Sequence, residues 1–198
     1  MSPVISDDAE ASVRLLYQAL ALHQSLLRNI QRNERRRIPT AGADAVQLQR
    51  QSTLLRLVTI TELFCSRNLL AGVEAILEPS RHETVQKIWG DAARGATSNW
   101  ESIEKSYKKW LDVTLDAGAW TAVRDYAEAR NAVAHGYGVL THMQRRSLSK
   151  VRPALVRVNI ALDERSWRIT LSDRVLHEAV EACREFIEHL DDKLQQRK

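Results

Sequence analysis

Apolar residues recur at helical spacing in stretch after stretch of this chain, and that period restricts it to a mainly α fold. Val13, Leu16, Leu20, His23, Leu27 and Ile30 follow the spacing first, behind a capping-type start of Asp7 and Glu10. His23 lies on that stripe and reads as a hydrogen-bonded core or interface histidine. The stretch runs out into the basic segment Gln31 to Arg37 before Pro39 and Gly42. Cations there complement the helix dipole or grip phosphate.

From Ala43 to about Leu70, Leu54, Leu57, Val58, Thr61, Phe64, Cys65 and Leu69 make a helix apolar over more than half its circumference, the expected centre of the core. Glu78-Pro79-Ser80 breaks the pattern, and Ser80 with Glu83 caps a short helix through Trp89. Gly90 and Gly95 flank an expected loop. Ser98 and Glu101 then cap a helix whose buried stripe is Trp100, Ile103, Tyr107, Trp110 and Leu111. The ten-residue spacing of Trp100, Trp110 and Trp120 is no helical period and reads as coincidence. Gly118 separates this helix from the next, which predicts an antiparallel helical hairpin.

Beyond Gly138, Thr141 to Pro153 is polar and basic, a lid, an RNA-contacting loop or a solvated linker. Val156, Val158, Ile160 and Leu162, then Trp167, Ile169 and Leu171, alternate apolar with polar across Asp163-Glu164-Arg165-Ser166, which predicts a β-hairpin over about 155–171. Ser172 caps a last helix with the stripe Leu176, Ala179, Val180, Cys183, Phe186, Ile187, Leu190 and Leu194. The expected architecture is a single domain over 1–198, a bundle of five to six helices with the hairpin before the last.

Composition narrows the function classes. Cys65 and Cys183 fall on apolar stripes with no metal spacing and read as reduced core thiols. The first residues carry no export pattern, and no run reaches the roughly 18 apolar residues of a membrane span, so a cytoplasmic protein with no membrane partner is expected. A formal charge of +4, mostly from arginine, suits a polyanion. His82-Glu83 lacks a second His, with Gln86 in its place, so no metal is expected there. No Gly-rich phosphate loop, carboxylate cluster or nucleophile elbow suggests a cofactor or another chemistry.

The residues that stand out are Arg130-Asn131-Ala132-Val133-Ala134-His135-Gly136-Tyr137. The run from Trp120 to Ala134 is alanine-rich, without proline or glycine, and Gly136 marks its C-terminal end. His135 then sits in the last turn, where the dipole favours imidazolium. Ala119, Ala122, Val123, Tyr126, Ala127, Ala129, Val133 and Ala134 form a broad apolar face with Arg130 in its middle. A guanidinium there needs a carboxylate, carbonyls or a phosphate. Asn131 and His135, four apart, share a stripe with Arg124, whereas Arg130 and His135 lie roughly 140° apart around the helix. On structural grounds alone Arg130 caps carbonyls or pairs with a carboxylate such as Asp112 or Asp116, and His135 merely ends a helix.

At these residues the chain resembles the HEPN superfamily of all-helical domains, whose motif is an Arg, usually followed by a polar residue, and a His with four to six residues between it and the Arg. The His-Gly-Tyr ending is similar to that of its ribonuclease toxins and RiboL-PSP-HEPN-like proteins. The resemblance implies a homodimer with facing motif helices and a metal-independent endoribonuclease site that needs no cofactor. Arg130 and His135 would be catalytic, Asn131 and Tyr137 supporting, with Arg124, Arg145 and Arg146 as RNA contacts. The expected products are 2′,3′-cyclic phosphate ends, and the expected setting is a toxin or anti-phage effector with an antitoxin or nucleotidyltransferase partner. The alternative is a non-catalytic module of the same fold that binds RNA, nucleotide or protein.

Overall fold

The computed structural model describes residues 5–34, 45–77 and 83–197. Among the described residues eight helices and one two-stranded hairpin follow in order: α1 (Asp7–Glu34), α2 (Ala45–Leu77), α3 (Glu83–Ala96), α4 (Trp100–Leu111), α5 (Ala117–Gly136), α6 (His142–Arg146), α7 (Leu148–Arg157), β1 (Ala161–Asp163), β2 (Arg168–Thr170) and α8 (Asp173–Gln195). The mainly α bundle with a hairpin before the last helix is as the periodicity predicts. Its helix count is higher, because the segment after Gly138 is helical. The basic run Arg35 to Arg37 and the Pro79-Ser80 break lie outside the described residues, as does His82.

α2 is the central helix, packed by α1, α4, α5 and α8. Its Leu54, Leu57, Val58, Phe64, Cys65 and Leu69 are at most 1% exposed. One buried apolar cluster takes residues from every helix except α6. Trp100 and Trp120 belong to it, and each meets Phe186 of α8 edge-on, at 6.1 and 4.9 Å between ring centres. Trp110 instead pairs with Trp89 at 5.4 Å. The even tryptophan spacing therefore serves packing.

Several boundaries differ from the sequence reading, each for a local reason. Ser6, not Asp7, caps α1: its Oγ accepts the Ala9 amide at 3.3 Å. Gly90 and Gly95 lie inside α3 and not in a loop: Asp91 and Arg94 between them form an ion pair of 2.5 Å across one turn, and a Cβ at either glycine would meet nothing within 4 Å. Asn99, not Ser98, caps α4, accepting the Ser102 amide at 2.9 Å. The break before α5 falls at 112–116, where Asp112 is left-handed and Asp116 caps Ala119, so Gly118 is already helical. α4 packs on α2 and α3, while α5 packs on α2, α7 and α8.

The largest correction concerns 141–171. Residues 148–157, read in part as the first strand and in part as a linker, form α7, with Pro153 in its interior. Val151, Ala154 and Leu155 are buried and Val156 is 66% exposed, a helical pattern that the apparent alternation of Val156, Val158 and Ile160 hides. The hairpin is consequently short, three residues a strand, with Leu162 opposite Ile169. Thr141 and Gln144 form a capping box that starts α6.

His23 is 1% exposed, with Nδ1 3.1 Å from Thr53 Oγ1 and Nε2 3.3 Å from Asp173 Oδ1. Burial lowers its pKa from the ordinary 6.5, and Arg50 and His177 act the same way against the opposing pull of Asp173. The unfolded chain therefore takes up a proton near pH 6.5 that the folded protein refuses until lower pH, so stability falls with pH through that window. Chemical denaturation between pH 7 and 5 should show this fall, reduced in His23→Gln; an unchanged slope in the variant would contradict the assignment.

Candidate functional site

α5 carries the motif, and its end is built differently from the glycine cap expected. Tyr137, at φ 51°, takes the left-handed position, and its amide reaches the carbonyls of Ala132 and Val133. Gly138 follows at φ 82°, and its amide bonds to the Ala132 carbonyl at 3.0 Å. A Cβ on Gly138 would fall 2.2 Å from Gln51 Nε2. Glycine is needed there to let the chain leave α5 against α2. The cap leaves the Tyr137 residue 84% exposed.

Arg130 points to α2. Its Nη2 donates to Glu62 Oε2 at 2.6 Å and its Nη1 to Asn131 Oδ1 at 3.2 Å, while the buried Nε has no partner among the described residues. Both side chains of the ion pair are largely covered, 22% and 23% exposed. The carboxylate that the apolar face demanded is thus Glu62, not Asp112 or Asp116. Burying a guanidinium beside a single carboxylate is tolerable because charge and two of its N–H groups are met.

His135 lies on the other side of the helix, exposed, in an open pocket of about 570 Å³ between α5, α6 and α7. Asn131, Glu128, Ser147 and Lys150 line the same pocket. An adjoining pocket of about 490 Å³ shares Glu128, Asn131 and Lys150 and adds Arg124 and Arg157, so the two form one groove. Arg124 is held at 3.0 Å by Glu104, and Arg157 grips the buried Asp125 through two bonds of 2.6 and 2.8 Å. Lys150 makes no ion pair within 4.0 Å among the described residues.

Of the residues singled out in sequence, then, Asn131 and His135 come together, Arg124 lies further along their groove, and Arg130 does not line it. Tyr137, Arg145 and Arg146 are exposed but line neither pocket. Asn131 connects the two sides, accepting from Arg130 while facing the groove with His135. The sequence reading passed over Glu128, although Glu128, Asn131 and His135 occupy one stripe at i, i+3 and i+7. It also passed over Lys150, which a linker reading could not place, and Glu62.

Among the described residues no group of three or more His, Cys, Asp or Glu is placed to hold a metal ion. No helix among them is long and apolar enough to cross a membrane. Comparison with protein-family models, with curated proteins and with solved structures found no match to this chain.

Proposed function

We propose that this protein is a metal-independent endoribonuclease of HEPN type, acting in the cytoplasm as a toxin or anti-phage effector. The observation that carries the reading is that His135 and Asn131 of the motif share an open groove with the cation Lys150. RNA supplies its own nucleophile, the 2′-hydroxyl, so the protein needs to move protons and neutralise a phosphorane. His135 is the proton-transfer group, a role that typically contributes about 10²- to 10⁴-fold. Asn131 accepts from Arg130 and so ties the groove to the ion pair that seats α5 on α2, and a homodimer with facing motif helices sets two such grooves side by side. Arg124, Arg145 and Arg146 hold the RNA strand, Tyr137 supports the site from the helix end, and an antitoxin or nucleotidyltransferase restrains the activity.

A second reading, a non-catalytic module binding RNA or protein, is favoured by the engagement of Arg130 with Glu62. Cleavage of mixed RNA in EDTA by wild type, Arg130→Ala and His135→Ala separates the two. The ribonuclease reading expects 2′,3′-cyclic phosphate ends from wild type and at least about a 100-fold loss in His135→Ala. No cleavage by the folded wild type, or equal cleavage by all three, overturns it.

A further inference from the structure

We propose that Glu128 is the general base of the same site, with His135 as the acid, so that one protomer's groove holds both proton-transfer groups. The inference rests on the ribonuclease reading and names a catalytic residue that the motif does not contain. At 100° per residue Glu128 and His135, seven apart, differ by only about 20° around α5, and about 10.5 Å separates them along its axis. Both line the pocket, with Asn131 between them and Lys150 across from them on α7. Two side chains reaching in from that spacing leave room for one phosphodiester between carboxylate and imidazole.

The carboxylate is held for this task. Gln144, only 7% exposed, donates its Nε2 to Glu128 Oε2 at 3.1 Å and to the Glu128 carbonyl at 2.8 Å. The Thr141 amide fixes the other end of that amide group by donating to Gln144 Oε1 at 3.1 Å. Glu128 Oε1 receives no hydrogen bond among the described residues and stays open to the groove. A carboxylate with one oxygen anchored and the other free is oriented as a base must be.

The step then balances. Glu128 Oε1 takes the 2′-hydroxyl proton as the 2′-oxygen bonds to phosphorus. The bond from phosphorus to the 5′-oxygen breaks, and the His135 imidazolium gives its proton to the departing oxygen. The products are a 2′,3′-cyclic phosphate and a 5′-hydroxyl, and solvent returns both groups to their starting protonation. Lys150 offsets the charge that gathers on the phosphoryl oxygens.

The test compares an oligoribonucleotide that wild type cuts with its analogue carrying sulfur in place of the bridging 5′-oxygen at the cut. The thiolate leaves without being protonated. His135→Ala should lose at least about 100-fold on the oxygen substrate and recover to within about tenfold of wild type on the sulfur one. Glu128→Gln, which keeps an acceptor for Gln144 and so the local fold, should lose at least about 100-fold on both. A merely structural role for Glu128 would not produce this division between the two variants. Cleavage of both substrates by Glu128→Gln at the wild-type rate, or its rescue by sulfur, overturns the assignment while leaving the ribonuclease reading intact. Failure of wild type to cleave either mixed RNA or these oligomers removes both.

Discussion

Trp120→Ala should destabilise the protein by about 3–5 kcal/mol, the range for removing a large aromatic side chain from a core. Trp120 is 2% exposed. Its ring stands 4.9 Å from Phe186, 6.2 Å from Tyr107 and 6.5 Å from Trp100, so one side chain joins α4, α5 and α8. Each such aromatic pair adds roughly 0.5–1.5 kcal/mol beyond the buried area. Because domains are stable by only about 5–15 kcal/mol, the variant should sit near its unfolding midpoint under mild conditions. Trp120→Phe retains most of the contacts and should lose less than half as much. Urea denaturation checks both, and a change under about 1 kcal/mol for the alanine variant would show that the cluster relaxes around the hole.

The consequence reaches the groove. The Trp120 carbonyl accepts Arg124 Nε at 3.2 Å, and Arg124 lies in the groove that also holds Asn131. The aromatic cluster therefore anchors the start of the same helix whose last turn presents His135.

The core was legible in sequence because burial has a period, and α1, α2, α4 and α8 repeat it for several turns. α7 was not. Its ten residues include Pro153, and Val156, Val158 and Ile160 mimic a strand over too few residues for the helical period to show. The short hairpin beyond it is legible because Leu162 and Ile169 sit opposite one another. Within the motif, sequence placed Asn131 and His135 on one stripe and recognised that Arg130 pointed elsewhere. It could not supply the partner, since Glu62 is 68 residues away in the chain and meets Arg130 only through the packing of α2 on α5. Lys150 reaches the groove for the same kind of reason, from a helix that sequence did not foresee.

Arg130→Ala should cost about 1–3 kcal/mol of stability. Exposed ion pairs are worth about 0–1 kcal/mol and breaking fully buried ones costs about 3–5. This pair, at 22% and 23% side-chain exposure, falls between. The loss comes less from the missing attraction than from the Glu62 carboxylate, left without its partner in the largely covered contact between α2 and α5. Glu62→Ala should cost a similar amount, because Arg130 Nε already lacks a partner among the described residues and Nη2 would lose its own. The double variant should cost less than the sum, with a coupling of about 1–2 kcal/mol measured by denaturation of all four proteins; additive losses would show that the pair contributes nothing as a pair. The same four proteins decide what Arg130 does for catalysis. If cleavage disappears in Arg130→Ala and returns in the double variant, the arginine acts by offsetting Glu62 and keeping α5 seated on α2. If it is absent from both, with both folded, the guanidinium itself is required at the phosphate.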